Sequence, residues 1–481
     1  MNRRTIATLI AGVIFLMAIL LIVGSIESKL PDRIHTGARD ALKQYDAARA
    51  EMTQTGDEIK QAIKGQPALF QALGYDTVWP QQVSTLEKRI EGLGATRQLL
   101  ESLLEKNDGD TYRQVIQYIR DLSKSTTAIK EQMQGLKKER QDVLDFKAKL
   151  PEHLQQMQRE HAAIQSQDLT RVKSLVQKAG LDWPGKKADL DQRLGMMQEA
   201  IADADRVWQS TQQARQALAD GDVTDELVAA VYKAHRQLQA CREILDTGHK
   251  TIPELIEQLN WSWDKLLVDM EIQEGQEVKF YQEFETVKTY ALAGEGEKTQ
   301  QQTNRARMAV AKTVYESMKN NLGMVVEHKP AGMYDHEATR TIQPPGYAYV
   351  ASPQQGRNRY GYWDHRPGGG SFWVFYGQYA LMRDLFWGSG YRPISATDYG
   401  YYDQARRSRQ AYYGRDDRGR PMYGSSGSVT QTKYKNSKYV RTGGYRSSRY
   451  VQSGGTYRGS RYESRSYRSS SRSGSRFGGG K

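Results

Sequence analysis

The sequence predicts an all-α protein in which an N-terminal transmembrane helix is followed by elongated antiparallel helical bundles and a largely disordered tail. Three observations support this fold class. Residues 5–26 carry no charge, and apolar side chains then recur at alternating spacings of three and four through residues 33–327, which is the period of a helix. The last 140 residues are rich in Gly, Ser, Arg and Tyr, a composition that buries too little apolar surface to fold alone.

The positive charge of the chain is concentrated near its C-terminus. Residues 342–481 hold 24 Lys and Arg against 7 Asp and Glu, whereas residues 1–341 hold 45 against 49. The same C-terminal stretch contains 20 of the 29 tyrosines. We therefore expect the tail, and not the helical body, to bind an anionic or aromatic partner. The single cysteine, Cys241, excludes a disulfide within the chain and any site built from several cysteines.

The uncharged N-terminal segment is long enough to cross a bilayer. As a helix, its 22 residues would span about 33 Å, against about 30 Å of hydrocarbon. A cleaved signal peptide is the alternative, with a cleavage site at 23–25, but the apolar run is longer than that of a typical signal peptide. We expect an uncleaved anchor at 1–26 in a bacterial-type inner or plasma membrane, with the N-terminus cytoplasmic and the bulk of the chain extracytoplasmic.

Three long apolar stripes support the helical body. Their alternating spacing keeps each stripe facing a neighbouring helix at a crossing angle of about 20°, as in long antiparallel bundles. Several stripe positions are Ala, Thr or Arg, so the seams are thin, and we expect bundling within the chain instead of a long two-stranded dimer. The stripes begin with Ile34, Ala38, Ala41 and Tyr45, with Val83, Leu86, Ile90 and Leu93, and with Ile119, Leu122, Thr126 and Ile129.

One segment of the helical body occurs twice. Residues 71–80, QALGYDTVWP, align with residues 177–184, QKAGLDWP, and an Asp-Gly-Asp turn recurs at an offset of 112. We expect Pro80 and Pro184 in the first turn of a helix and the Asp-Gly-Asp turns between helices. Repeated units of three helices resemble spectrin-like repeats in architecture, although no family motif is present. The predicted units are 33–150, 151–250 and a divergent, partial helical unit at 251–327.

No constellation of residues predicts catalysis. The chain contains no GxxxxGK[ST], HExxH or GxSxG motif. Cys241 lies on an apolar helix face and is expected to be a buried structural thiol. The two Asp-Gly-Asp turns lack the twelve-residue loop of a calcium site, and the eight histidines are dispersed, with only His328 and His336 loosely grouped. We therefore predict no enzyme activity, no cofactor and no metal site.

Three segments follow the helical body: a Pro/Gly-rich linker at 328–370, an aromatic segment at 371–387 and a basic low-complexity tail at 388–481. The aromatic segment is too short to span a bilayer. Three roles are open for it, since it could lie at a membrane interface, dock onto a partner or fold back onto the helical body. Its candidate contact residues are Phe372, Trp373, Phe375, Tyr376 and Trp387.

The end of the tail is predicted to bind a polyanion or a protein partner. Residues 433–481 contain 13 basic residues and one acid, Glu463, and a degenerate repeat of 11 to 12 residues places Tyr beside Arg. Guanidinium groups match phosphates and carboxylates, and tyrosine rings stack on bases or sugars. A purely solubilising tail is the alternative, which the regular tyrosine spacing fits poorly. The predicted binding residues are Arg441, Tyr445, Arg446, Arg449, Tyr450, Tyr457, Arg458, Arg461, Tyr462, Arg465, Tyr467 and Arg468.

Together these features predict a single-pass, membrane-anchored helical scaffold or spacer. It would present its basic tail to anionic polymers of the cell envelope, to lipid headgroups or to an acidic protein, and self-association is compatible with its helical units. The alternative is a membrane-tethered protein whose cytoplasmic, RGG/RS-like tail binds nucleic acid, with an affinity that falls steeply as salt rises. Nucleic acid is a partner only if the tail is cytoplasmic.

Overall fold

The computed structural model describes residues 29–274, 278–292, 299–366, 370–387, 392–416 and 418–444. The chain divides into two compact units. We call them the helical unit, formed by Ser25–Lys178 and Lys187–Pro253, and the mixed unit, formed by Ala179–Lys186 and Glu254–Lys481, as far as these residues are described. The described part of the chain is 64% helical and contains one four-stranded and one two-stranded sheet, both antiparallel.

Ten α-helices occupy the described residues between 32 and 260. Two of the breaks between them have a clear local cause, because Gly74 and Asn107 adopt positive φ angles of 80° and 46° and so end a helix in the left-handed conformation. The helices are α1 (Asp32–Gly65), α2 (Pro67–Leu73), α3 (Tyr75–Gly92), α4 (Gly94–Lys106), α5 (Tyr112–Ala148), α6 (Leu150–Gln165), α7 (Thr170–Asp182), α8 (Lys187–Ser210), α9 (Gln212–Ala219) and α10 (Asp225–Asn260).

The core of the helical unit is built on α1 and α5, which pack along one another. α1 buries a single stripe that includes Ile34, Ala38 and Ala41, and α5 buries one that includes Ile119 and Leu122. The alanines of α1 allow the two helix backbones to approach closely. Each isoleucine or leucine that is fully removed from water contributes about 1.5–3 kcal/mol, so these two stripes hold the long helices together.

The all-α prediction is wrong, because strands replace the predicted helices within residues 251–327. The four-stranded sheet has the order β3-β2-β1-β4. β1 is a central strand with most side chains buried on both faces, so it lacks the alternation of polar and apolar residues that marks a half-buried strand. The strands are β1 (Trp261–Gln273), β2 (Lys279–Tyr290), β3 (Gln301–Val310) and β4 (Val325–Lys329), with α11 (Lys312–Met318) between β3 and β4.

The prediction of a single-pass membrane protein is also wrong for the described structure. The proposed anchor, residues 5–26, lies outside the described residues, and no helix in the described part of the chain is long and apolar enough to cross a membrane. The longest of those helices, α5 with 37 residues, carries charged side chains along its length. The membrane-anchored scaffold, its membrane-tethered alternative and the inner-membrane location therefore have no support in the structure.

The expectation of a largely disordered tail is wrong for the described residues up to 444. Eight tyrosines join Trp363 and Trp373 in one buried cluster that also includes residues of β1, β2 and β4. An aromatic side chain buries about 150–250 Å², so these tyrosines supply an apolar core for the linker, the aromatic segment and the described part of the tail. The elements of this region are β5 (Gly361–His365), β6 (Ser371–Phe375), α12 (Ala380–Trp387), α13 (Ala396–Arg407), α14 (Ser428–Lys433) and α15 (Lys438–Arg441).

The buried tyrosine hydroxyls mostly find acceptors inside the mixed unit. Tyr402 donates to Gln343 Oε1 (2.6 Å), and Tyr379 donates to the backbone oxygen of Ala291 (2.9 Å). Tyr347 and Tyr412 both donate to the carboxylate of Asp398. A buried hydroxyl without a partner destabilises a fold, so these acceptors are what allow tyrosine to serve as a core residue.

Helix α10 passes into β1 without a loop, since it ends at Asn260 and the strand begins at Trp261. The last carbonyl groups of a helix have no partner within it, and here Lys329 of β4 donates its Nζ to the backbone oxygen of Gln258. The same amine donates to the oxygen of Met333 (3.0 Å). Lys329 is 0% exposed, and this burial lowers its pKa to about 8.

The two copies of the Trp-Pro segment fold differently. Trp79 is fully buried within α3 and donates its indole N–H to Glu139 Oε2 (3.0 Å). Trp183 follows α7 and donates to Asn260 Oδ1 (3.1 Å). Pro80 lies in the second turn of α3, not in the first, whereas Pro184 opens a 3-10 turn. The sequence repeat is therefore not a structural repeat at this point.

Candidate binding groove of the helical unit

The helical unit contains a groove between α3 and α5 that is closed at one side by Arg236 of α10. We call it the α3–α5 groove. Its volume is about 720 Å³, within the range of about 300–1,000 Å³ that is common for ligand sites. Bundles of helices often hold ligands between facing helices. The α3–α5 groove is therefore the first candidate for a functional site.

The floor of the groove is apolar and its walls are polar. Leu86 of α3 and Leu136 of α5 are 4% and 7% exposed and form the floor. Beside them, a Cβ placed on Gly135 would meet nothing within 4 Å, so the absence of a side chain there keeps the groove open. α3 presents one face, from Val78 to Arg89, and the eleven helical steps between these residues extend over about 16 Å.

Hydrogen bonds fix both ends of the groove. At one end, Arg89 Nη1 donates to Gln132 Oε1 (2.5 Å). At the other end, Glu139 accepts from Tyr75 OH at Oε1 (2.9 Å) and from Trp79 Nε1 at Oε2 (3.0 Å). Burial and the Glu139 carboxylate raise the pKa of Tyr75 well above its usual value. Neutral donors thus hold Glu139 in place and occupy both of its oxygens.

The remaining charges of the groove are mainly positive. Arg89, Lys138 and Arg236 line it, against Glu139 and Asp142. None of the three cations forms an ion pair with the residues that the structure describes. Glutamine side chains at 81 and 82 add further donors along α3. An open groove with an apolar floor and donors on its walls can hold an extended chain that carries carbonyl and carboxylate oxygens.

The other titratable side chains of the described residues are spread over several environments. Within the described ranges, no group of three or more His, Cys, Asp or Glu side chains is placed to hold a metal ion. His328 is buried and its Nδ1 lies 2.6 Å from Asp264 Oδ1, whereas His336 stacks on Tyr334. Cys241 is 4% exposed, and burial raises the pKa of its thiol, which makes it less reactive.

The structure describes only one of the predicted tail-binding residues. Arg441 is exposed and is the last residue of α15. The other eleven, which run from Tyr445 to Arg468, lie outside the described residues. Their role in binding a polyanion or partner therefore stays a prediction.

The aromatic segment 371–387 is part of the mixed unit. Trp373 is 1% exposed and meets Trp363 edge-on, with ring centroids 5.6 Å apart. Phe372, Phe375 and Tyr376 are half-buried, and Trp387 is the last residue of α12. Their role at a membrane interface or in docking onto a partner stays a prediction. Trp373 itself belongs to the buried cluster of this unit.

Sequence reasoning missed the α3–α5 groove. Its lining residues come from three helices, and the apolar stripes show which faces are buried but not where two polar faces separate. One signal was present, because Gly135 interrupts an otherwise regular helix and an isolated glycine there has a packing or functional reason. Comparison with protein-family models, with curated proteins and with solved structures found no match for this chain.

Proposed function

We propose that this protein acts by binding, and that the α3–α5 groove holds an extended acidic segment of a partner protein. The observation that carries the proposal is the set of three cations without ion pairs along an apolar-floored groove. An extended chain rises about 3.3 Å per residue, so the groove accommodates about five residues of a partner.

The expected binding is weak and depends on salt. Each solvent-exposed ion pair contributes about 0.2–1 kcal/mol, so most of the affinity must come from the apolar floor and from the amide donors. Salt screens exposed charges over about 8 Å at physiological ionic strength. Raising the salt concentration should therefore weaken binding without abolishing it.

A groove-filling variant provides the sharpest test. The probe is a fluorescent peptide in which glutamate alternates with proline, since such a peptide is extended and its prolines supply no backbone donors for pairing with a strand. Gly135→Leu should abolish binding to the full chain, because its side chain enters the groove where a Cβ meets no neighbour. The same change should stabilise the protein, since glycine within a helix costs about 1 kcal/mol relative to alanine.

Two controls separate blocking from other effects. Gly195→Leu in α8, where a Cβ also meets nothing within 4 Å, should raise the melting temperature and leave binding intact. Replacing Lys138 and Arg236 together by Gln should weaken binding about fivefold, whereas Lys124→Gln on α5 should not. Binding that survives Gly135→Leu would contradict the proposal.

A further inference from the structure

The two edges of the four-stranded sheet differ. β4 is short, and the chain that follows it covers its outer side. Val325 and Gln343 exchange two backbone hydrogen bonds (2.9 and 3.1 Å), and His328 and Thr339 exchange two more (2.9 and 2.8 Å). The backbone groups at this edge are therefore satisfied within the chain, which is how proteins protect an edge strand from pairing with another molecule.

β3 forms the opposite edge, and no segment among the described residues pairs with its outer side. It has ten residues, it pairs with β2 over this whole length without a register shift, and residues 302–309 are all exposed. It contains no proline and no bulge, two devices that interrupt pairing at an edge. A long, regular and exposed edge strand is a template for a further strand.

The register shows which backbone groups of β3 point outward. Tyr290 N donates to Gln300 O (3.0 Å), so this pair and every second pair after it are bonded to β2. The even-numbered residues of β3 therefore face β2 with their N–H and C=O groups. The odd-numbered residues direct theirs away from the sheet, and these are Gln301, Thr303, Arg305, Arg307 and Ala309.

Two arginines occupy outward positions and retain free donors. Arg305 uses Nε and Nη2 on Glu285, and its side chain is 63% exposed. Arg307 uses Nη2 on Glu271, lies over the ring of Tyr281 and is 44% exposed. A guanidinium has five N–H donors, so each can also bind a carboxylate on an incoming strand. The opposite face of β3 carries the exposed Met308.

The same arginines disfavour pairing of β3 with a second copy of itself. In a two-fold antiparallel pair, residues of like parity stand opposite one another. We consider the registers that pair more than half of the ten residues of β3. In each of them, Arg305 or Arg307 lies directly opposite an arginine of the second copy or diagonal to one. Like charges in these positions are destabilising. The occupant that fits the edge is therefore an acidic strand.

We propose that β3 accepts an antiparallel strand from a partner protein, with acidic side chains on the face of Arg305 and Arg307 and apolar side chains on the face of Met308. Main-chain hydrogen bonds to the odd-numbered residues supply the affinity, and the two arginines select the sequence. This surface belongs to the mixed unit and is independent of the α3–α5 groove, so the failure of either proposal leaves the other standing.

The test uses the full chain and a fluorescent peptide in which glutamate alternates with valine. Thr303→Pro removes one outward N–H without breaking a bond to β2, and proline is tolerated at such an edge position. We expect this change to weaken binding about tenfold or more. Thr303→Val, which keeps the N–H, should bind within about twofold of the parent chain.

A second pair of measurements tests the charge selection without altering the backbone. Replacing Arg305 and Arg307 together by Gln should weaken binding several-fold, and a peptide in which lysine replaces glutamate should not bind the parent chain. Equal binding to the parent chain and to Thr303→Pro would overturn the proposal, as would binding of the lysine peptide. A dimer of the parent chain that Thr303→Pro dissociates would also overturn it, by assigning the edge to a second copy.

Discussion

Acidification from pH 6.5 to pH 4 should destabilise the helical unit by about 3 kcal/mol through one buried side chain, His235. The imidazole is 4% exposed. Burial, with smaller effects from His153 and Arg236, lowers its pKa from 6.5 to about 4. The amide Nε2 of Gln239 lies 3.0 Å from His235 Nε2. An amide nitrogen only donates, so this ring nitrogen accepts and the ring is neutral.

The sign follows from the two protonation equilibria. Between pH 6.5 and pH 4 the unfolded chain binds a proton at this position and the folded chain does not, so acid favours unfolding. The difference of 2.5 in pKa corresponds to about 3 kcal/mol at about 1.36 kcal/mol for each unit. Above pH 6.5 the ring is neutral in both states, and the effect disappears.

The surroundings of the ring offer little compensation for a positive charge. Phe146 and His153 lie 5.3 and 5.5 Å from it between ring centroids, and Tyr232 meets Phe146 edge-on. Glu160 faces the ring, but its Oε2 is 3.7 Å from Nδ1, which is beyond hydrogen-bonding distance. Protonation would therefore place a charge among aromatic rings, beside one carboxylate that attracts it without hydrogen-bonding to it.

Hydrogen exchange of the α10 amides provides the assay, because it measures the free energy of the openings that expose this helix. Opening free energies, corrected for intrinsic exchange, are compared at pH 6.5 and pH 4 for the parent chain and for His235→Gln. The parent chain should lose about 3 kcal/mol more than the variant, which has no titrating group at this position. An equal loss in both proteins would refute the reasoning.

Two further predictions concern the mixed unit. Because the pKa of Lys329 falls from 10.5 to about 8 in the folded chain, the unfolded chain binds more protons between these values, and the stability of the mixed unit should rise with pH across that window. Thermal unfolding of Lys329→Met should show no such rise in stability with pH. A rise equal to that of the parent chain would contradict the assignment of this effect to Lys329. Gly361→Ala should cost about 2 kcal/mol or more, because its Cβ would lie 2.2 Å from the backbone oxygen of Val374. Gly370→Ala, where nothing lies within 4 Å, is the matched control in urea denaturation.

The buried faces of the long helices could be predicted from the sequence, whereas the strands could not. The stripe from Ile34 to Ile59 is buried in α1, because the period of a helix is a local property of the sequence. Trp263, Leu266 and Met270 also fit a helical stripe, yet they lie in a central strand. β1 is a strand because β2 and β4 pair with it, and that pairing is a long-range property.

The fold of the tail and the position of the α3–α5 groove could not be predicted from the sequence, for two different reasons. Composition rules treat a segment rich in Tyr, Gly and Arg as unable to fold, but Tyr402 and Tyr379 pack in a core and find acceptors at Gln343 and Ala291. The α3–α5 groove depends on the distance between two polar helix faces, which no single-helix pattern encodes. Only Gly135 pointed to it.

Trp79 and Trp183 are the tryptophans of the two repeated segments, and their different surroundings limit how these segments can be exchanged. If residues 71–80 and 177–184 arose by internal duplication, the two copies now depend on different hydrogen-bond partners. The indole of Trp79 donates to Glu139, and the indole of Trp183 donates to Asn260. Recombination that exchanged the two segments would preserve the tryptophan and the proline in each place. It would also remove Tyr75, which stacks on Trp79, from one copy and place it at the position of Leu181, which is 82% exposed. Selection now acts on each copy through its own neighbours.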